Sequence, residues 1–305
     1  MTAKGFHLTN DDMLPLEVRA STLDGITVQL PDGFYTTFST LAGGSRVLGL
    51  QAHLDRLYVP ARDAGLQPSV DAKSLRQRIA DLAQEYLPRE SRVRLVLTKN
   101  DGNVYLGIQP FIPLEASVYE NGVHVITTDL ARHDPRIKGT DFITASAEQR
   151  KRVKDDIFEI LLTKNGRILE GMTSNFYATK HVIVGNRIAA AKQSQSSSGG
   201  LPRPFGARND MKLITARHGI LLGVTRRAVL RLARGQGMSI EYRAPRMDEE
   251  FNEAFLTSSS RGVVPIVMID GKPVGEGRVG DWAKTLRKAY QAYVEERSEA
   301  LSALG

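Results

Sequence analysis

The chain has 305 residues, 41% of them hydrophobic and 25% charged, an ordinary globular composition with material for two domains or one large one. It has no cysteine, which excludes disulfides, thiolate metal sites and a cysteine nucleophile. No apolar run approaches the ~18 residues of a membrane helix. The segment from Met1 to Met13 has no secretory core, so a cytoplasmic protein with no membrane partner is expected. The formal net charge of +7 points to an anionic partner, either nucleic acid or a small ligand.

In chain order, residues 1–22 read as a polar, partly ordered arm and Ile26 to Leu30 as a short strand. Gly33 to Leu41 alternates and is rich in β-formers, so a strand is expected there. Leu54, Leu57 and Ala61 share one face of a helix that carries His53 and Arg56. By spacing alone Arg56 is a surface charge and His53 a structural residue. Leu75 to Leu87 predicts a second amphipathic helix. Arg92–Thr98 and Val104–Ile108 predict a hairpin around Asp101-Gly102. Pro110 and Pro113 fall in a connector, Gln109 to Glu120, that predicts a domain joint. The expected division is 1–112, a linker at 113–121, and 122–305.

The second part opens with a strand, Val123 to Thr128, followed by a loop holding Lys138 and a helix from Thr144 to Lys154. Asn165-Gly166 between two apolar runs is a strong hairpin signal. A two-residue loop pairs Thr163 with Ile168 and Leu161 with Glu170, which fixes Glu170 on a strand. Asn175 to Thr179 continues as a strand. Residues 189–211 are rich in Ser, Gly, Ala and Pro and are expected to form a mobile insertion with no role in the chemistry. Gly223-Val224-Thr225 opens a helix through Arg234. Its first N–H groups and its dipole favour an anion, although Thr225 could equally be a plain N-cap. Glu253–Thr257 and Val263–Ile269 are strands, and an amphipathic helix from Asp281 ends the chain. Arg226, Arg227, Arg231, Arg234, Arg243 and Arg246 read as a solvated face without a nucleic-acid motif.

Lys138 and Glu170 carry the chemistry in this reading. A lysine that attacks a carbonyl must be neutral part of the time, and burial drives it toward that state. A carboxylate beside a pyridine nitrogen keeps that nitrogen protonated. Both demands are those of pyridoxal phosphate (PLP). By spacing alone, each residue is more simply a solvated surface charge.

The motifs around the pair add a resemblance. Arg132, Pro135 and Lys138 in R-H-D-P-R-I-K are followed by Glu170, Gly171, Ser174 and Asn175 in E-G-M-T-S-N. Leu50 to Leu57 reads L-Q-A-H-L-D-R-L, and Thr215 to Arg226 reads T-A-R-H-G-I-L-L-G-V-T-R. This pattern resembles the fold-type IV PLP enzymes: branched-chain aminotransferases, D-amino acid aminotransferases and aminodeoxychorismate lyases.

The resemblance implies an α+β fold with a small N-terminal domain, a larger C-terminal pseudo-barrel domain, PLP between them, and a homodimer. It implies that Lys138 holds the cofactor and moves the proton while Glu170 serves the ring nitrogen. It further implies that Arg56, Val224, Thr225 and Ser259 hold the phosphate, with Ser174 and Asn175 completing the cofactor site. Tyr35, Arg92, Arg94, Ser260 and Arg261 are the substrate-side candidates; Arg92, Arg94 and Arg261 among them are the candidates for binding the substrate carboxylate, with surface charge the expected role of at least one. The implied substrates are an amino donor and a 2-oxo acid; no metal and no nucleic acid are expected. Thr36 and Ser39 stand where branched-chain enzymes carry Glu and Arg in F-E-x-I-R, and the Lys138 loop lacks that group's tyrosine. Both departures weaken an L-branched-chain assignment. The alternatives are a lyase that releases pyruvate and, from another class, a basic nucleic-acid-binding protein on an inactive scaffold.

Overall fold

The computed structural model describes residues 2–18, 20–181 and 211–301. The expected insertion at 189–211 lies outside them except for Met211, which opens a strand.

The first half builds an antiparallel five-stranded sheet from β1 (Lys4–Leu8), β2 (Met13–Pro15), β3 (Gly33–Ser39), β5 (Ser91–Thr98) and β6 (Val104–Pro110). Its order is β2-β1-β6-β5-β3. Period-two alternation splits β3 and β5 into two faces. Phe34 and Phe38 of β3, with Val93, Leu95 and Leu97 of β5, pack under α2 (Leu50–Asp63) and α3 (Ala72–Gln84). The helices contribute Leu50, Leu54, Leu57, Leu75, Ile79 and Leu82, all essentially inaccessible to solvent. Each such side chain is worth about 1.5–3 kcal/mol when taken from water. The opposite face carries Tyr35, Thr37 and Ser39 beside Val96, Arg94 and Arg92. That polar face looks toward the second half of the molecule.

Three local expectations change in this half. The arm forms β1 and β2, because its residues complete the sheet edge beside β6. The stretch expected as a strand at 26–30 is instead the end of α1 (Leu23–Thr27) and the turn that follows it, and the helix's N-cap Thr22 accepts the Gly25 N–H at 3.1 Å. The stretch expected as a linker contains α4 (Ala116–Asn121).

The second half is a mixed, curled sheet of nine strands. It runs β12 (Ser239–Tyr242), β11 (Met211–Thr215), β10 (Asn175–His181), β13 (Glu253–Ser258), β14 (Gly262–Ile269), β7 (Val123–Asp129), β8 (Ile157–Lys164), β9 (Arg167–Gly171), with β15 (Lys272–Pro273) beside β14. α7 (Val224–Gly235) and α8 (Asp281–Arg297) bury Val229, Ala233, Leu286 and Tyr290 against Tyr177 and Phe255. The chain then returns to the first half, where β16 (Glu299–Ala300) pairs with β4 (Arg46–Val47). The helix expected at 144–154 is shorter, earlier and broken into α5 (Asp141–Ala145) and α6 (Ala147–Arg150). The break falls at Ser146, whose hydroxyl donates back to the Phe142 carbonyl at 2.6 Å.

The β8–β9 hairpin determines where Glu170 points. Asn165 and Gly166 both have positive φ, 51° and 68°, as a two-residue primed turn requires. Thr163 opposes Ile168 as expected, but the register then shifts and Glu170 opposes Leu162 rather than Leu161. A slip of one residue exchanges the faces of a strand. Without the bulge, Glu170 would share the face of Leu161 and Ile168, which lie together in a hydrophobic cluster. With it, Glu170 joins the face of Leu162, which packs with Phe142 and Met172. The extra residue re-aims one side chain, a common use of bulges beside functional sites.

Candidate active site

Lys138 sits in the loop after β7 and is held as if on an extra strand. Its carbonyl accepts the Tyr35 N–H at 2.8 Å, the Thr140 N–H donates to the Gly33 carbonyl at 2.9 Å, and the Gly33 N–H donates to Thr140 Oγ1 at 2.9 Å. These bonds tie the loop to β3, the edge of the five-stranded sheet. Lys138 Nζ lies 4.8 Å from the Tyr35 ring centre. It lines a cavity of about 590 Å³ between the two halves.

The cofactor-side and substrate-side candidates named from the sequence all line that cavity. Tyr35, Arg92 and Arg94 come from the first sheet and Arg56 from α2. Glu170, Ser174 and Asn175 come from β9, β10 and the turn joining them, Val224 and Thr225 from the start of α7, and Ser259, Ser260 and Arg261 from the β13–β14 turn.

Glu170 is 2% exposed and its partner Arg132 5% by side chain, so this is a buried ion pair. Arg132 Nε donates to Glu170 Oε1 at 2.8 Å and its Nη2 to the Met172 carbonyl at 2.9 Å. Its guanidinium carbon lies 3.8 Å from the Phe142 ring centre. The other oxygen, Oε2, accepts the Leu221 N–H at 3.0 Å and Asn175 Nδ2 at 3.4 Å. A carboxylate has about four acceptor positions, so Glu170 retains room for one more donor. Burial pushes its pKa up, while Arg132, the Leu221 N–H and Lys138 oppose that rise. Arg132, present in the recognised motif but given no role from sequence, is the main partner that reading missed.

The remaining charges are unbalanced. Arg94 and Arg150 both bind Asp24 of α1, at 2.5 and 3.1 Å, and Arg261 binds Glu159 at 2.7 Å. Among the described residues, Arg56, Arg92 and Lys138 have no carboxylate partner within ion-pair distance. Burial is the main cause that pushes Arg56 and Arg92 each down to about 10, so both stay charged at neutral pH. Burial, then Arg56, Arg132, Arg94 and Arg92, push Lys138 well below the ordinary lysine value. A site with this surplus of enclosed cations is built to receive anions.

Several candidates act through the backbone. The N-cap of α7 is Gly223, not Thr225, and no side chain caps the helix. The Gly223 N–H donates to Asn175 Oδ1 at 3.2 Å, and a Cβ on Gly223 would collide with that oxygen. Thr225 Oγ1 faces the Tyr290 hydroxyl at 3.5 Å, leaving the amides at the helix start to address an anion. Arg56 reaches across to the Leu222 carbonyl at 2.8 Å and so stands next to this helix end. Ser174 turns to Glu159 at 3.4 Å, and Asn175 Nδ2 donates to the Leu221 carbonyl at 2.8 Å. Their side chains brace the β9–β10 turn against the start of α7. His53 is buried at 2.7 Å from Thr36 Oγ1, and burial holds its pKa well below the usual value. The expected solvated arginine face holds only in part, since Arg226 is 3% exposed and donates to the Ala216 carbonyl.

The donor set fits PLP. A buried low-pKa lysine faces the cavity with an acceptor site on a buried carboxylate. An uncapped helix start with an adjoining arginine suits a phosphate.

Comparison with known proteins agrees. Residues 33–269 match the family model described as amino-transferase class IV. The D-alanine aminotransferase of Bacillus licheniformis is 26% identical over 277 residues, covering 86% of this chain and 88% of that one. The putative branched-chain-amino-acid aminotransferase of Methanocaldococcus jannaschii is 23% identical over 270 residues, covering 80% and 82%. Among solved structures, the PLP-bound form of a hypothetical aminotransferase from Mycobacterium tuberculosis superposes with a TM-score of 0.67 at 20% identity, covering 96% of this chain and 100% of that one. The chain belongs to the class IV aminotransferases, enzymes that depend on pyridoxal phosphate.

Proposed function

We propose that Lys138 is the residue that holds PLP and carries the proton in transfer between an amino acid and a 2-oxo acid. The observation that carries this reading is the enclosure of Lys138 among four guanidinium groups, which favours the neutral amine. A neutral amine is both the nucleophile toward a carbonyl and a base toward the substrate carbon. Bound PLP supplies an electron sink for the charge left on that carbon. Glu170 offers its remaining acceptor position to the ring nitrogen, and Arg132 holds the carboxylate in place. Arg56, the amides at Val224 and Thr225, and Ser259 hold the phosphate. Ser174 and Asn175 position the turn and helix that frame the ring. Tyr35, Ser260 and Arg261 border the substrate with Arg92 and Arg94.

The same reading divides the chain into 1–112, a linker at 113–121 and 122–305, with the site between the two domains. It places the enzyme in the cytoplasm as a homodimer without nucleic-acid or membrane partners. No helix among the described residues is long and apolar enough to cross a membrane.

The test is a panel of D- and L-amino donors, each with pyruvate and 2-oxoglutarate as acceptors, with the new amino acid quantified. Transfer to an acceptor supports the reading. Release of pyruvate from an amino substrate without any acceptor would replace it with the lyase.

A further inference from the structure

The two main elements assigned to the phosphate come from opposite halves of the molecule, Arg56 from α2 and the open helix start from α7. Both helices have a glycine at the N-cap, Gly49 and Gly223, so neither can cap itself with a side chain. The first N–H groups of a helix have no partner within it. The two starts adjoin. A Cβ on Gly49 would lie 3.6 Å from Val224 Cγ1, and Arg56 Nη2 donates to the Leu222 carbonyl at 2.8 Å. They are nevertheless finished differently. No side chain caps α7, whereas α2 is closed by Glu299, 249 residues beyond Leu50, whose Oε1 accepts the Leu50 N–H at 3.1 Å. The first turn of α2 holds no acidic residue, so Glu299 also supplies the negative charge that a helix start favours.

Glu299 sits on a short strap between the halves. Leu286 and Tyr290 of α8 pack with Val229 and Ala233 of α7. Beyond α8 the chain crosses to the first half, where Glu299 opposes Val47 and Ala300 opposes Arg46. Arg46 Nε donates to Ser298 Oγ at 2.8 Å, and its Nη2 donates to the Ser298 carbonyl. The Leu301 N–H donates to the Ser45 carbonyl at 3.0 Å, and the Leu301 side chain is buried in one cluster with Leu50, Leu54 and Leu57 of α2. These contacts close a ring: α7 to α8, α8 through the strap to α2, and α2 through Arg56 back to the start of α7. Such a ring fixes the spacing of two groups that must meet one anion, and preorganisation of that kind strengthens binding.

We propose that Glu299 is a positioning residue for the cofactor: by capping α2 from the far end of the chain, it holds Arg56 at the spacing from α7 that a phosphate requires. The proposal rests on the reading in which Arg56 and the start of α7 hold the PLP phosphate, and deepens it by naming what sets that grip. Glu299 does not line the catalytic cavity and acts through α2.

The experiment is equilibrium dialysis of PLP against the full chain, with the unfolding midpoint recorded for every variant. Loss of a helix cap corresponds to about 2- to 30-fold in an equilibrium, so Glu299→Ala should weaken PLP binding by about 3- to 10-fold. Glu299→Gln keeps an acceptor oxygen at the same reach and should recover most of the loss. Glu299→Asp keeps the charge but is one methylene shorter, and should not. The decisive comparison is a cycle with Arg56→Gln: in that background Glu299→Ala should change PLP affinity by less than about 2-fold, because the group it positions is gone. An equal effect in both backgrounds identifies a cap that only stabilises the fold and overturns the proposal. So does wild-type affinity in Glu299→Ala, or an equal loss in Glu299→Gln and Glu299→Ala. If Glu299→Ala folds poorly, Glu299→Asp takes its place in the same cycle. An Arg56→Gln protein that binds PLP as tightly as wild type, or a wild-type protein that takes up none, overturns the phosphate reading itself, which separates the two failures.

Discussion

Replacing Glu170 with Gln tests the site's electrostatics and its folding together. The carboxylate accepts from Arg132 on one oxygen and from Leu221 and Asn175 on the other. Gln has a single acceptor oxygen. If it serves Leu221 and Asn175, an NH₂ group faces Arg132 Nε, donor against donor. Removing one partner of a buried ion pair costs about 3–5 kcal/mol. Leaving one buried donor unpaired costs about 1–3 kcal/mol, and Gln retains one of the two oxygens. We expect the lower figure, which at this chain length lowers the unfolding midpoint by roughly 5 °C. The rate effect is separate. Gln has no charge to keep a pyridinium protonated, and losing one preorganised electrostatic partner typically costs about 10²–10³ in rate. PLP uptake should persist, because Lys138 and the phosphate contacts are untouched. The assay is stopped-flow decay of the bound cofactor's visible absorbance under excess amino donor, with Arg132→Met as a control that disturbs folding without removing the carboxylate. A folded, PLP-loaded Glu170→Gln protein that reacts at the wild-type rate would refute the assignment of Glu170 to the ring nitrogen.

Three further outcomes follow from the geometry. Lys138 has a folded pKa below its unfolded value, so the unfolded chain binds the extra proton and the buried amine lowers stability at neutral pH. That penalty fades as pH rises from the folded pKa toward about 10.4, so cofactor-free Lys138→Met should unfold at a higher temperature than cofactor-free wild type at pH 7, with the gap closing toward pH 10. A gap that widens with pH would contradict the burial of a low-pKa amine. Arg56→Gln should weaken PLP binding by about 10- to 100-fold, read by equilibrium dialysis, through loss of a charge-assisted bond; unchanged affinity would remove Arg56 from the phosphate site. Gly223→Ala should also impair PLP uptake, because its Cβ would collide with Asn175 Oδ1 at the start of α7; normal uptake would show that this close approach is not needed.

The β-rich framework was legible because apolar alternation and turn chemistry are local signals. The β5–β6 and β8–β9 hairpins and α2 follow directly from them. Local signals failed where one long-range partner decided the outcome. The short stretch at 26–30 has strand-forming residues, but Thr22 caps a helix turn just before it and Gln109 Oε1 accepts the Leu23 N–H at 3.2 Å. The β8–β9 bulge has no marker in the sequence, since neither Leu162 nor Leu169 differs from an ordinary strand residue. Yet it determines which face Glu170 occupies. The motifs identified the residues that gather around the cavity, and the structure separated their states. Of three arginines expected on the substrate side, Arg94 and Arg261 are already paired and Arg92 is open. That distinction depends on Asp24 and Glu159, whose positions no spacing rule gives.

The most direct test of the account is chemical trapping of the cofactor on the intact protein. The PLP-loaded protein is reduced with borohydride, digested, and mapped by mass spectrometry. The account predicts one phosphopyridoxyl group, on the peptide containing Lys138, and none on a Lys138→Met protein treated in the same way. Label on another lysine, or equal labelling of Lys138→Met, would contradict it.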